Sequence, residues 1–125
     1  MLDFSKGKFH HYRLSEIDYS KIEEDIAPLI TSKESVLAVF KAGADCVIFT
    51  TKRLLTMDKQ HFRKVDFTSI PYSSIDVFSV ETAGWADRDA ELDILIKGVG
   101  EFCFEFDRVT SMATICRFIS ESKFN

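Results

Sequence analysis

The sequence predicts a mainly β domain, a small barrel or bent sandwich of about seven antiparallel strands capped by a C-terminal amphipathic helix, with an extra helix near the N-terminus. Three observations carry that reading. From Ser35 to Asp107 the apolar residues recur with period two, in short runs separated by polar or glycine-containing turns. On both sides of this stretch the period lengthens to that of a helix. The chain has 125 residues, of which 46% are hydrophobic and 12 are Phe, so one domain of this length has ample apolar surface to bury.

The first helix is expected from about Ser15 to Ala27. Ser15 serves as N-cap, and Glu16 and Asp18 put negative charge in the first turn. Tyr19, Ile22, Ile26 and Leu29 form one apolar stripe, while Lys21, Glu23, Glu24 and Asp25 face water. Pro28 lacks an N–H and ends or kinks the helix before it. Residues 1–31 thus read as an N-terminal arm and helix, and residues 32–125 as the strand-rich domain with its terminal helix.

The expected strands are Ser35–Lys41, Cys46–Thr50, Leu54–Met57, Phe62–Phe67 and Ile75–Thr82, followed by two that alternate cleanly. In that last pair Leu92, Ile94 and Ile96 share one face, as do Phe102, Phe104 and Phe106, with Gly98-Val99-Gly100 as the hairpin turn. Ala83–Ala90 is a polar loop holding Gly84 and the only Trp, Trp85. The terminal helix runs from about Val109 to Ser120, with Val109, Met112, Ile115, Cys116 and Ile119 on its core face. There is no internal repeat and no low-complexity stretch.

Charge and composition exclude several classes. A net charge of −4 and a pI near 5.3 argue against a general nucleic-acid or anionic-membrane binder. No apolar run approaches the roughly 18 residues that span a bilayer. The N-terminus lacks the apolar core of a signal peptide, and Cys46, Cys103 and Cys116 are odd in number and sit in apolar segments. A cytoplasmic protein with reduced thiols is expected.

Candidate chemistry is sparse. Asp87-Arg88-Asp89-Ala90-Glu91-Leu92-Asp93 resembles a calcium loop only superficially, because the loop glycine and the terminal glutamate are missing. Glu91 and Asp93 alternate with Leu92 and Ile94, which makes them the solvent face of a strand. His10, His11 and His61 have no Cys or second His at zinc-ligand spacing. There is no nucleophile elbow and no glycine-rich phosphate loop, and nothing in the sequence sets Glu81 and Asp87 across a cleft. The expectation is a non-enzymatic domain with no cofactor and no metal.

Four segments occur in register: Phe49-Thr50-Thr51-Lys52-Arg53-Leu54-Leu55, Ile70-Pro71-Tyr72-Ser73-Ser74-Ile75, Val80-Glu81-Thr82-Ala83-Gly84 and Asp89-Ala90-Glu91-Leu92. Together they resemble the bacterial pleckstrin-homology-like (PH-like) domain family over roughly Lys33 to Ser120. The resemblance implies a PH-like barrel of seven strands with a C-terminal helix, no known activity, and homo-oligomers that form rings. The segments also have physical readings. Pro71 fixes a strand connection, Tyr72 buries its ring while its hydroxyl finds a backbone partner, and Lys52-Arg53 keeps a turn soluble.

Phosphoinositide-binding relatives of this fold carry several basic residues in the loop after the first strand, whereas Lys41–Asp45 has one Lys and one Asp. A peripheral membrane or phospholipid-binding module is therefore the alternative reading. The leading one rests on strands that are apolar on both faces: Val36, Ala38 and Phe40 against Leu37 and Val39, and Ile75 and Val77 against Phe78 and Val80. The first helix covers one patch, and a second copy of the chain covers the other. Phe4, Phe9, Tyr12 and Leu14 of the arm offer further contacts. The expected function is a self-associating protein-interaction scaffold with Phe78, Val80, Glu81 and Trp85 at the interface. A charge at Phe78 is expected to dissociate the assembly without unfolding the barrel.

Overall fold

A computed structural model describes residues 2–59, 64–82, 89–109 and 112–124. The strands are β1 (Lys8–Ile17), β2 (Val36–Ala42), β3 (Asp45–Thr50), β4 (Arg53–Lys59), β5 (Val65–Pro71), β6 (Val77–Thr82), β7 (Ala90–Ile96) and β8 (Gly100–Asp107). Two α-helical segments, α1 (Glu23–Ile26) and α2 (Met112–Phe124), complete the fold with short 3-10 turns. All eight strands form one sheet in the order β5-β4-β3-β2-β1-β8-β7-β6, curled into a half-barrel with α2 packed beside the Tyr72–Ser74 turn. Among the described residues the sheet does not close, and β5 and β6 are its margins.

The eighth strand corrects the reading of the N-terminal arm. β1 lies in the middle of the sheet, antiparallel to β2 through Ser15–Ile17 and parallel to β8 through Lys8–His11. Part of the arm is therefore a strand of the sheet. A bulge hid this strand from the sequence pattern. Arg13 has φ of 53°, and the register shifts between His11 and Leu14. The bulge moves the buried positions from Phe9 to Leu14, five residues on, so period two is lost.

The expected helix from Ser15 to Ala27 is broken up for the same reason, since Ser15–Ile17 belong to β1. The cap is Asp18, whose carboxylate accepts from the Ser20 amide at 2.9 Å. Beyond it come a 3-10 turn (Tyr19–Lys21), α1 and a second 3-10 turn (Ala27–Leu29) that contains Pro28. The stripe survives the shortening. Ile22 and Ile26 are buried against Val39, Cys46, Ile48, Leu55 and Met57 on the outer face of β2–β4.

The main core lies on the other face. Phe9, Phe40, Phe49, Phe102, Phe104 and Phe106 pack there with Leu92, Ile94 and Tyr72, under Met112, Ile115 and Ile119 of α2. Alternation within β7 and β8 matches the sequence reading residue by residue. The β7–β8 hairpin also anchors the start of β1. Gly100 has φ of 142°, and a Cβ there would lie 2.6 Å from the Gly7 carbonyl carbon. Only glycine lets the two backbones approach so that the Glu101 amide donates to the Gly7 oxygen at 2.9 Å.

Candidate functional site

Three of the four residues named from the sequence sit on β6, and Trp85 lies outside the described residues. Among the described residues β6 pairs only with β7, through Val77–Leu95, Phe78–Ile94 and Val80–Leu92, so one side of its backbone is an edge there. Phe78 and Val80 point to the core face with Ile94 and Leu92, and Val77, Ser79 and Glu81 point outward. Phe78 is half-buried against the core, and Glu81 is exposed. Val77 is 55% exposed, its neighbour Leu95 38% and Val80 36%, which leaves apolar surface on both sides of the edge. The two-faced strand β2 is different, because Ile22 and Ile26 of the same chain cover its outer face.

A cavity of about 340 Å³ opens at the barrel mouth, where Asp45, Asp58 and Asp66 meet His11, Lys6 and Lys8. Burial, and then the adjoining Asp58 carboxyl, push Asp45 above the ordinary carboxylate range. The His11 ring stacks on Phe104 at 5.0 Å. Burial, then the charge of His10, lower its pKa, and its Nδ1 atom is buried without a hydrogen-bond partner among the described residues. Carboxylates this close together repel an anionic headgroup.

The segments that carried the family resemblance do structural work around Glu34, a residue the sequence reading did not single out. Glu34 is buried and receives Arg53 Nη2 at 2.8 Å, Arg53 Nε at 3.2 Å, the Thr31 amide at 3.0 Å and the Thr50 hydroxyl at 2.7 Å. Burial by itself would raise this carboxyl, but the hydrogen bonds and the Arg53 charge hold it at about 2. Arg53 also donates to the Leu29 carbonyl at 2.7 Å, which ties the strap after α1 to the sheet. Tyr72 buries its ring and donates its hydroxyl to the Thr50 carbonyl at 2.6 Å. Arg53 is thus a clamp on a buried acid, where the sequence suggested only a solubilising charge.

Burial comes first among the causes that raise the thiols of Cys46, Cys103 and Cys116, so none is poised as a thiolate nucleophile. The outward faces of β7, β8 and β1 do collect side chains that sequence spacing keeps apart. Register places Asp93 and His10 on either side of Cys103. The Cys103 thiol donates to Glu91 Oε1 at 2.9 Å.

The curled sheet, its capping helix and this core define a domain of the pleckstrin-homology fold. The solved structures agree. A DUF1696 family protein with a pleckstrin-homology domain from Shewanella loihica PV-4 superposes with a TM-score of 0.68 at 30% identity, over 90% of this chain and 99% of that one. A pleckstrin homology domain from Shewanella amazonensis SB2B gives a TM-score of 0.57 at 35% identity, over 86% and 100%. The model of the bacterial PH domain family matches residues 7–122, and the chain belongs to that family. Among curated relatives, the uncharacterized protein YjqA of Bacillus subtilis (strain 168) is 45% identical over 86 residues, 67% of this chain and 69% of YjqA. YozO of the same organism, also uncharacterized, is 28% identical over 88 residues, 70% of this chain and 76% of YozO. No helix among the described residues is long and apolar enough to cross a membrane.

Proposed function

We propose that this PH-like domain is a non-enzymatic, cytoplasmic scaffold that self-associates through the β6 margin and presents an assembled surface to a protein partner. The observation that carries the reading is the open edge of β6, with Val77 and Val80 exposed on its opposite faces and Leu95 beside it. A free strand edge bearing apolar side chains is a surface that another strand or sheet covers. The second margin is β5, a strand of different sequence. Contact between unlike surfaces of successive copies is head-to-tail, and head-to-tail contacts close into rings when the rotation permits. The cavity disfavours the phospholipid alternative, because Asp3, Asp45, Asp58 and Asp66 outnumber Lys6 and Lys8 in its lining.

The test is absolute mass in solution for the wild type and for a Val77→Lys/Val80→Lys variant. Phe78 is less suited than the sequence reading held, since it packs against the core and a charge there also loads the fold. The two valines are exposed, so their substitution separates assembly from folding.

A further inference from the structure

The parallel pairing of β1 with β8 sets His10 opposite Cys103, 93 positions away in sequence, on the outer face of the sheet. Ligand atoms of His10, Cys103 and Glu105 lie within 4.8 Å of one another. Those of Glu91, Asp93 and Cys103 do so as well, which makes the Cys103 sulfur the common member of both groups. Thiolate, imidazole and carboxylate are the donor types that zinc takes, at about 2.0–2.3 Å each, in a tetrahedral set. His10 is exposed, while Cys103 and Glu105 are half-buried, so solvent reaches the site and one donor is free to adjust. The His10 ring is oriented by stacking on Tyr12, with centroids 4.5 Å apart and planes 9° from parallel.

We propose that Cys103 Sγ, a ring nitrogen of His10 and the Glu105 carboxylate bind one zinc-like divalent ion on the outer face of β8, leaving the fourth position to water. The thiol proton passes to Glu91, its hydrogen-bond acceptor at 2.9 Å, and from there to solvent as the sulfur–metal bond forms. The sulfur lies between Asp93 and His10 in the register of the sheet, and a coordinating thiol is deprotonated by the cation it binds. Zinc does not change oxidation state, so the step needs no redox partner. Cys46 and Cys116 lack such surroundings: Cys46 lies under α1 in the outer cluster, and Cys116 packs against the main core.

Cobalt(II) titration of reduced, chelator-treated protein tests the site, with thiolate-to-metal charge-transfer absorption as the readout and zinc as competitor. The expected result is saturation at one equivalent and displacement by zinc. The band should vanish in Cys103→Ser and persist in Cys116→Ser. Binding should weaken by roughly tenfold or more in His10→Ala and Glu105→Gln, at least what loss of an outer-shell partner does. Circular dichroism of each variant establishes that the fold is kept. Absence of a stoichiometric band in the wild type, or a band that survives Cys103→Ser, overturns the proposal. So does unchanged affinity in His10→Ala.

Discussion

Arg53 grips Glu34 with two nitrogens of its guanidinium, Nη2 to Oε1 at 2.8 Å and Nε to Oε2 at 3.2 Å, across 19 positions of sequence. The pair fastens the strap that follows α1 to the start of β4, beside Ile22 and Ile26, which cover the outer face of β2–β4. Removing one partner leaves the other charge in a largely buried place. Arg53→Ala is expected to lower stability by roughly 3 kcal/mol in urea unfolding. Arg53→Lys should restore only part of it, because an ammonium cannot present the planar fork. Full recovery by lysine would mean that charge alone, and not the two-point geometry, holds the strap.

The same carboxyl sets an acid limb of stability. Its value is about 2 in the fold against an ordinary 4.5. A folded-state pKa below the unfolded one stabilises fully above the unfolded value and is lost as pH falls through the folded value. The contribution, on the order of 3 kcal/mol, should therefore be complete above about pH 5 and fade towards pH 2. Glu34→Gln should be less stable near neutrality and show a flatter profile across this window. Parallel profiles for the two proteins would assign the acid limb to other groups.

Ile26 is fully buried at the centre of the outer cluster. Ile26→Ala should destabilise by roughly 2–5 kcal/mol, as large-to-small changes in cores do. It should also raise binding of a hydrophobic dye, because the β2–β4 face loses its cover. A variant as stable as the wild type would show that the strap rests on the sheet without supporting it.

Gly100→Ala combines a positive φ with a clash against the Gly7 backbone. A loss of roughly 2 kcal/mol or more in the thermal or urea transition is expected. Amide exchange should speed up at Glu101, whose N–H bonds to Gly7. Normal protection there would mean that the β1–β8 junction tolerates a side chain.

Much of the fold was legible because β7, β8 and α2 keep a strict period, so Leu92, Ile94, Phe102, Phe104 and Phe106 were placed on one face from sequence alone. β1 was not legible. Its bulge at Arg13 breaks the alternation, and its partner β8 lies far along the chain and runs parallel to it. The Ile22–Ile26 stripe was read correctly as a covering face, but its length was overestimated because i, i+4 spacing also fits two short turns around one helical turn. Of the site, Phe78, Val80 and Glu81 could be assigned to one strand, but their strand's position at the sheet margin follows from topology that no local pattern encodes. Glu34 with Arg53 is joined by the fold of the loop before β2 and His10 with Cys103 by strand register, and spacing rules find neither pair.

The central claim, self-association through β6, is most directly tested by light scattering behind a sizing column at micromolar concentration. The account predicts a closed oligomer, a whole multiple of 14.3 kDa, that falls to 14.3 kDa in Val77→Lys/Val80→Lys with circular dichroism unchanged. A wild-type mass of 14.3 kDa, or an oligomer that the double variant leaves intact, would contradict it.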